Sequence, residues 1–139
     1  MAEFFVTLSN NEIATQIATL LNAQNKLYAY HTTDTIMNSM ANYFVEINRD
    51  KVIGCTGLLI ENRDLSKSFH TSVHPAYIRR GIATKLLMTA INNCNTKYIY
   101  GTIREDNVAS IRLVSKLGWK IIRKDWNRDH YVVTMAGTT

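Results

Sequence analysis

The sequence predicts an α/β (α+β) fold: a mixed, mostly antiparallel central sheet flanked by helices. Three observations point there. Between Tyr43 and Val73, three strand-like segments are joined by short polar turns, the pattern of an antiparallel meander. The third segment runs through a basic, glycine-containing turn into a stretch of helical periodicity. Beyond it, strand-like and helix-like segments alternate before a closing pair of strands.

The elements follow in order. Phe4 to Leu8 reads as a short first strand. Ser9 to Glu12 has the form of a capping box, and Ile13, Ile17, Leu20 and Leu21 then recur at helical spacing to about Asn22. Tyr28, Tyr30 and His31 fall in a looser connection. Thr33 or Asp34 is placed to cap a short second helix through Met40. Tyr43 to Ile47, Val52 to Ile60 and Leu65 to Val73 form the meander. The next helix carries Ile82, Ala83, Leu86, Leu87, Ala90 and Ile91 on one stripe and ends between Asn92 and Asn95. Tyr98 to Ile103 is a strand placed to pair parallel to the one before that helix. Asp106 or Asn107 opens another helix, which Gly118 closes. Trp119 to Ile122 is a strand, Asp125 to Asp129 a polar loop, and His130 to Met135 the last strand. The predicted order is β-α-α-β-β-β-α-β-α-β-β.

Length and composition bound the class. The 139 residues fit a single domain, 1–139, with a sizeable core. No apolar run reaches bilayer-spanning length, and Met1 to Phe5 does not resemble a signal peptide, so no membrane partner is expected. Cys55 and Cys94 are too few for a disulfide framework or a zinc site, and a reducing cytoplasm is the simplest compartment. The net charge of +5 suits an anionic ligand. The basic residues are scattered, without zinc-finger spacing or an aromatic RNA-binding motif, so nucleic acid is not expected as a partner.

The most informative stretch is Val73-His74-Pro75-Ala76-Tyr77-Ile78-Arg79-Arg80-Gly81-Ile82-Ala83-Thr84. A strand ends, a turn follows, and a helix begins. The first amides of a helix have no partner within it, and the helix dipole adds positive potential there. Gly81 allows close approach to the backbone, and Arg79 and Arg80 add charge. The physical reading is a phosphate cradle.

This stretch resembles the coenzyme A loop of the GNAT acetyltransferase superfamily, V-x-P-x-x-[QR]-x-x-G-x-[GA]. Val73, Pro75, Gly81 and Ala83 match, while Ile78 stands where Gln or Arg is usual. Asn107-x-x-Ser110-x-x-Leu113-x-x-Lys116-x-Gly118-Trp119 is similar to the second signature of that family, N-x-x-[AS]-x-x-L-Y-x-K-x-G-[FW]. Val114 stands where the family has Tyr. The resemblance covers essentially the whole chain.

The resemblance implies direct transfer of the acetyl group of acetyl-CoA to an amine on a small molecule or peptide. It implies that Val73 bonds the pantetheine arm between two splayed strands. Gly81, Ile82, Ala83 and Thr84, flanked by Arg79 and Arg80, would hold the pyrophosphate, and Asn107 and Ser110 belong to the second coenzyme-contacting motif. Many members pair as dimers, which leaves a homodimer open. The missing tyrosine, proposed in relatives to protonate the departing thiolate, has three explanations. Ser115, Tyr131 or a water replaces it; the thiolate leaves unassisted; or the chain binds coenzyme A without turnover.

A protonated amine must lose a proton before it attacks. His70, on the strand that approaches the cradle, has an ordinary pKa suited to this, and Glu46 lies on a neighbouring strand. His31, and His130 with Asp129, fall on segments that border the acceptor site in the family. His74 lies at the exit of the cradle strand. No metal set can be assembled from the four histidines by spacing.

Overall fold

The computed structural model describes residues 8–24 and 30–139. The predicted strand at Phe4 to Leu8 lies outside them apart from Leu8, and Tyr28 lies outside them as well. The described elements are α1 (Asn10–Gln24), α2 (Thr33–Met37), β1 (Asn42–Asn48), β2 (Lys51–Ile60), β3 (Leu65–Val73), α3 (Ile82–Asn92), β4 (Tyr98–Arg104), α4 (Val108–Lys116), β5 (Lys120–Asn127) and β6 (His130–Thr138). A single 3-10 turn, Pro75–Tyr77, separates β3 from α3.

The strands form one sheet in the order β1-β2-β3-β4-β6-β5. Every neighbouring pair is antiparallel except β3 and β4, which run parallel. The meander predicted between Tyr43 and Val73 is therefore present, as is the parallel pairing after the crossover helix.

Helix starts follow local chemistry. The Ser9 amide donates to Glu12 Oε1 at 3.0 Å and the Glu12 amide to Ser9 Oγ at 3.1 Å, the reciprocal box expected before α1. Thr32, rather than Thr33 or Asp34, caps α2, because it forms a second such box with Thr35. That helix ends at Met37, short of the expected Met40, with Asn38 as its C-cap.

Two apolar clusters sandwich the sheet. On one face, Ala14, Ile17, Ala18, Leu20 and Leu21 of α1 and Ile36 of α2 pack on Val52 and Cys55, with Tyr43, Val45 and Ile47 beside them. On the other, Leu87 of α3 and Val114 of α4 pack with Leu58, Ile99, Trp119, Val133 and Met135. At roughly 1.5–3 kcal/mol per fully buried large aliphatic side chain, these clusters supply most of the driving force for folding.

The polar segment Asp125 to Asp129, expected as a loop, is mostly strand. β5 continues through Asn127, with Asp125 opposite Val132 and Trp126 opposite Tyr131. Only Arg128 and Asp129 turn the hairpin, Arg128 with a φ of 58°. Cross-strand pairing and the Arg123–Asp125 ion pair at 2.7 Å outweigh the polar composition that suggested a loop.

Candidate active site

The two parallel strands at the centre of the sheet pair over three residues only. Leu65 lies opposite Tyr98, Ser66 opposite Ile99 and Lys67 opposite Tyr100. Beyond Lys67 no further pairs form, although β3 continues to Val73 and β4 to Arg104. The sheet is thus split at its middle, on the side where β3 runs into the cradle.

The cradle is held open by its own sequence. His74 Nδ1 accepts the Ala76 amide at 3.1 Å and starts the turn that Pro75 occupies. The Tyr77 hydroxyl accepts from Asn48 Nδ2 at 3.1 Å, and the Arg80 guanidinium lies 5.2 Å from the Tyr77 ring centre. Arg79 adopts a φ of 64° and Gly81 one of 77°. A left-handed conformation costs a residue with a Cβ roughly 1–2 kcal/mol, so Gly81 is suited to its place and Arg79 is strained. No side chain caps α3, and its first internal bond runs from the Lys85 amide to the Gly81 carbonyl at 3.0 Å. The amides of Ile82, Ala83 and Thr84 precede that bond. A Cβ added to Gly81 would meet nothing within 4 Å, so the space beside the Gly81 Cα, at the start of the helix, is clear. Ile78, in the position of the usual Gln or Arg, is 53% exposed and extended.

Gly54, a glycine within β2, sets the height of this helix. A Cβ there would lie 2.9 Å from Ile82 Cγ2 and 3.0 Å from Leu86 Cδ1. α3 therefore seats on bare backbone of β2, opposite Val73, which pairs with Gly54. Asn107 is the N-cap of α4: its Oδ1 accepts the Ser110 amide at 3.2 Å. Val114 is buried in the core at 5% exposure and presents no polar group. Ser115 is exposed one residue on. Tyr131 stacks edge-on with Trp126 at 4.9 Å and has the Lys124 ammonium 4.3 Å from its ring centre.

The structure does not bring the two proposed bases together. Glu46 pairs with Gly54 and so faces α3, where its carboxylate meets Lys85 Nζ at 3.0 Å. His70 lies on the opposite face, beyond Lys67, the last residue of β3 paired with β4. The register of β2 with β3 shifts between Cys55 and Gly57, and His70 takes a φ of 55° in that bulge. This turns its ring toward the α1–α2 side, where several groups meet it. The Tyr43 hydroxyl is 2.9 Å from its Nδ1, with the two rings stacked at 10°. The His31 ring is edge-on at 4.6 Å and the Phe69 ring 4.0 Å away. Cys55 Sγ donates to the His70 carbonyl at 3.4 Å. Burial foremost, then the electrostatic influence of His31 and Lys67, pushes the His70 pKa down to about 4. The ordinary value expected from sequence is thus displaced: the imidazole is neutral at pH 7, with its lone pair available, but a weaker base than expected. Burial raises the Tyr43 pKa, so its phenol stays protonated beside it.

His31 is held by Asn22, whose amide oxygen accepts the His31 N–H and whose Nδ2 donates to the His31 carbonyl, both at 2.8 Å. His130 contacts Asp129 at 2.7 Å on the distant hairpin. Among the described residues, no group of three or more His, Cys, Asp or Glu is placed to hold a metal ion. No helix among them is long and apolar enough to cross a membrane.

This architecture agrees with known proteins. A family model described as the Acetyltransferase (GNAT) family matches residues 11–119. The chain belongs to that family. Its fold is similar to that of the ribosomal-protein-S18-alanine N-acetyltransferase from Escherichia coli, at 17% identity and a TM-score of 0.77 over 90% of this chain and 86% of that one. It is similar to the spermidine/spermine N-acetyltransferase SpeG from Vibrio cholerae, at 18% identity and a TM-score of 0.75, with 94% and 90% covered. It is also similar to a GNAT family acetyltransferase from Elizabethkingia anophelis with acetyl-CoA bound, at 14% identity and a TM-score of 0.68, with 87% and 89% covered. No curated protein sequence matches the chain.

Proposed function

We propose that this chain is an N-acetyltransferase that takes its acetyl group from acetyl-CoA and passes it directly to an amine. The observation that carries the reading is the split between β3 and β4, with the open left-handed cradle at the end of β3. The residues fit the coenzyme: uncapped amides of Ile82 to Thr84 for a pyrophosphate, Arg79 and Arg80 beside them, and, toward Val73, an edge of β3 without a β4 partner for an amide-bearing arm. Acetyl-CoA supplies an activated thioester. The protein holds it, and His70 takes the proton from the incoming ammonium at Nε2, in the tautomer whose Nδ1–H donates to the Tyr43 hydroxyl oxygen and leaves the Nε2 lone pair free. Of the two candidate bases, His70 fits this role, since Glu46 faces α3 and is bound to Lys85.

A second reading is favoured by one observation. Val114 is buried in the core, so a chain that binds coenzyme A with little turnover also fits. A thermal melt with acetyl-CoA, with nicotinamide dinucleotide as the control anion, tests both. Ligand at ~100 times its dissociation constant raises stability by ~2.7 kcal/mol, a shift of several degrees. A selective rise followed by amine-dependent release of free thiol supports the enzyme. A selective rise without thiol release supports the binding module, and no rise at millimolar ligand overturns both.

A further inference from the structure

We infer that the acceptor is an amine that also carries a carboxylate, seated on the open half of the sheet with Lys67 as its counter-charge. This rests on the acetyltransferase reading and names the substrate class for the same site. The two helices on the His70 face pack over β1, β2 and β3. Across β4 and β6 that face continues as a concavity of about 400 Å³, lined by Lys67, Tyr100, Thr102, Arg123, Thr134 and Ala136 among others. Tyr100 lies opposite Ala136 and Thr102 opposite Thr134, so the floor is a ladder of short and hydroxyl-bearing side chains.

Charge is distributed unevenly around it. Arg123 is neutralised by Asp125 at 2.7 Å and Arg104 by Asp106 at 3.3 Å. Glu61 keeps its negative charge while the Tyr100 hydroxyl donates to it at 2.6 Å. The Lys67 ammonium instead lies 5.9 Å from the ring centres of both Phe69 and Tyr100, and among the described residues no carboxylate forms an ion pair with it. The Phe69 ring is in turn 4.0 Å from that of His70. Lys67, Phe69 and His70 thus form a continuous row from the concavity to the group that would take the proton. An acceptor whose carboxylate meets Lys67 can lay its body along this row. A polycationic amine would find the Lys67 charge against it and would have to compete with Tyr100 and the arginines for the carboxylates.

The test uses an amino acid and its carboxamide, with spermidine as the polycationic arm. Each is presented with acetyl-CoA to the wild type, Lys67→Met and Lys67→Glu. Thiol release gives kcat/KM, and thermal melts report binding independently of turnover. The amide and the acid differ in amine reactivity, so the informative quantity is their ratio in the wild type divided by their ratio in the variant. Loss of a charge-assisted contact predicts that Lys67→Met lowers the acid-to-amide ratio by about tenfold and that Lys67→Glu lowers it further. An unchanged ratio in both variants, or spermidine as the best acceptor, overturns the assignment. If no amine releases thiol, the transfer reading fails and the melts decide the site alone. Stabilisation by the acid that Lys67→Met abolishes upholds the carboxylate site, and equal shifts for acid and amide overturn it.

Discussion

The cradle and the proposed acceptor wall belong to the same half of the sheet, on its two faces beside the split between β3 and β4, yet they are built from different material. The cradle is backbone: the amides of Ile82 to Thr84, aimed by Gly81 and seated through Gly54. The wall is side chains gathered from far apart in sequence, with His31 from the α1–α2 connection, Tyr43 from β1, and Lys67 and His70 from β3. A site made of backbone depends on chain direction and on one permissive residue. Ile78 precedes the helix start, so its side chain leaves the amides of Ile82 to Thr84 in place. A site made of side chains depends on register, so a shift of one residue removes it.

The difference is broken most severely at Gly81. Gly81→Val places a β-branched residue at a φ of 77° and fills the space that is now clear. The strain costs about 1–2 kcal/mol of stability. The larger effect is on binding: the ~2.7 kcal/mol of stabilisation expected from acetyl-CoA at 100-fold excess over its dissociation constant should be nearly abolished. A melt that still shifts normally with acetyl-CoA would mean that the pyrophosphate is not held at the α3 amides.

The same contrast explains what could be read in advance. The cradle was visible because strand, turn, glycine and helical stripe are contiguous from Val73 to Leu87. The Ser9–Glu12 box and the meander were legible for the same reason, since each is local. Gly54 was not, because its role is defined by Ile82 and Leu86 across space. His70 was singled out by residue type, but its orientation was hidden. Simple alternation along β3 assigns each residue a face, and the bulge at Cys55 to Gly57 breaks that alternation just there. Tyr43 and Lys67 carry no signal of their own, and the composition hides the second half of β5 because Asp125 and Asn127 read as turn formers.

His70 is the second place to apply pressure. If it takes the proton, His70→Gln lowers kcat by ~10²-fold or more while leaving KM for acetyl-CoA little changed. With its pKa pushed down to about 4, the wild-type rate should show no His70 inflection near pH 6.5 and should fall only as pH drops toward 4. Stability follows with a definite sign. Between pH 6.5 and 4 the unfolded chain takes up a proton at His70 that the folded chain refuses, so the fold loses stability as pH falls through that window. His70→Gln removes that part of the loss. An inflection in the rate near pH 6.5 that vanishes in the variant would mean that the imidazole is more open to water than its contacts with Tyr43, Phe69 and His31 imply.

Glu46 gives the smallest effect and the sharpest control. Its pair with Lys85 is mostly exposed on the lysine side, 64% against 28%, so the interaction is worth about 0–1 kcal/mol. Lys85 stands in the first turn of α3, where a cation opposes the helix dipole and Glu46 partly neutralises it. Glu46→Gln should therefore cost under about 1 kcal/mol of stability and change kcat by less than ~2-fold. It also unmasks a positive charge beside the phosphate cradle, so KM for acetyl-CoA should fall slightly at low salt and return toward wild type as salt rises. A ~100-fold loss of kcat in this variant, with His70→Gln active, would move the proton acceptor to the α3 face of the sheet, and the division between a backbone cradle and a side-chain wall would have to be redrawn around Glu46.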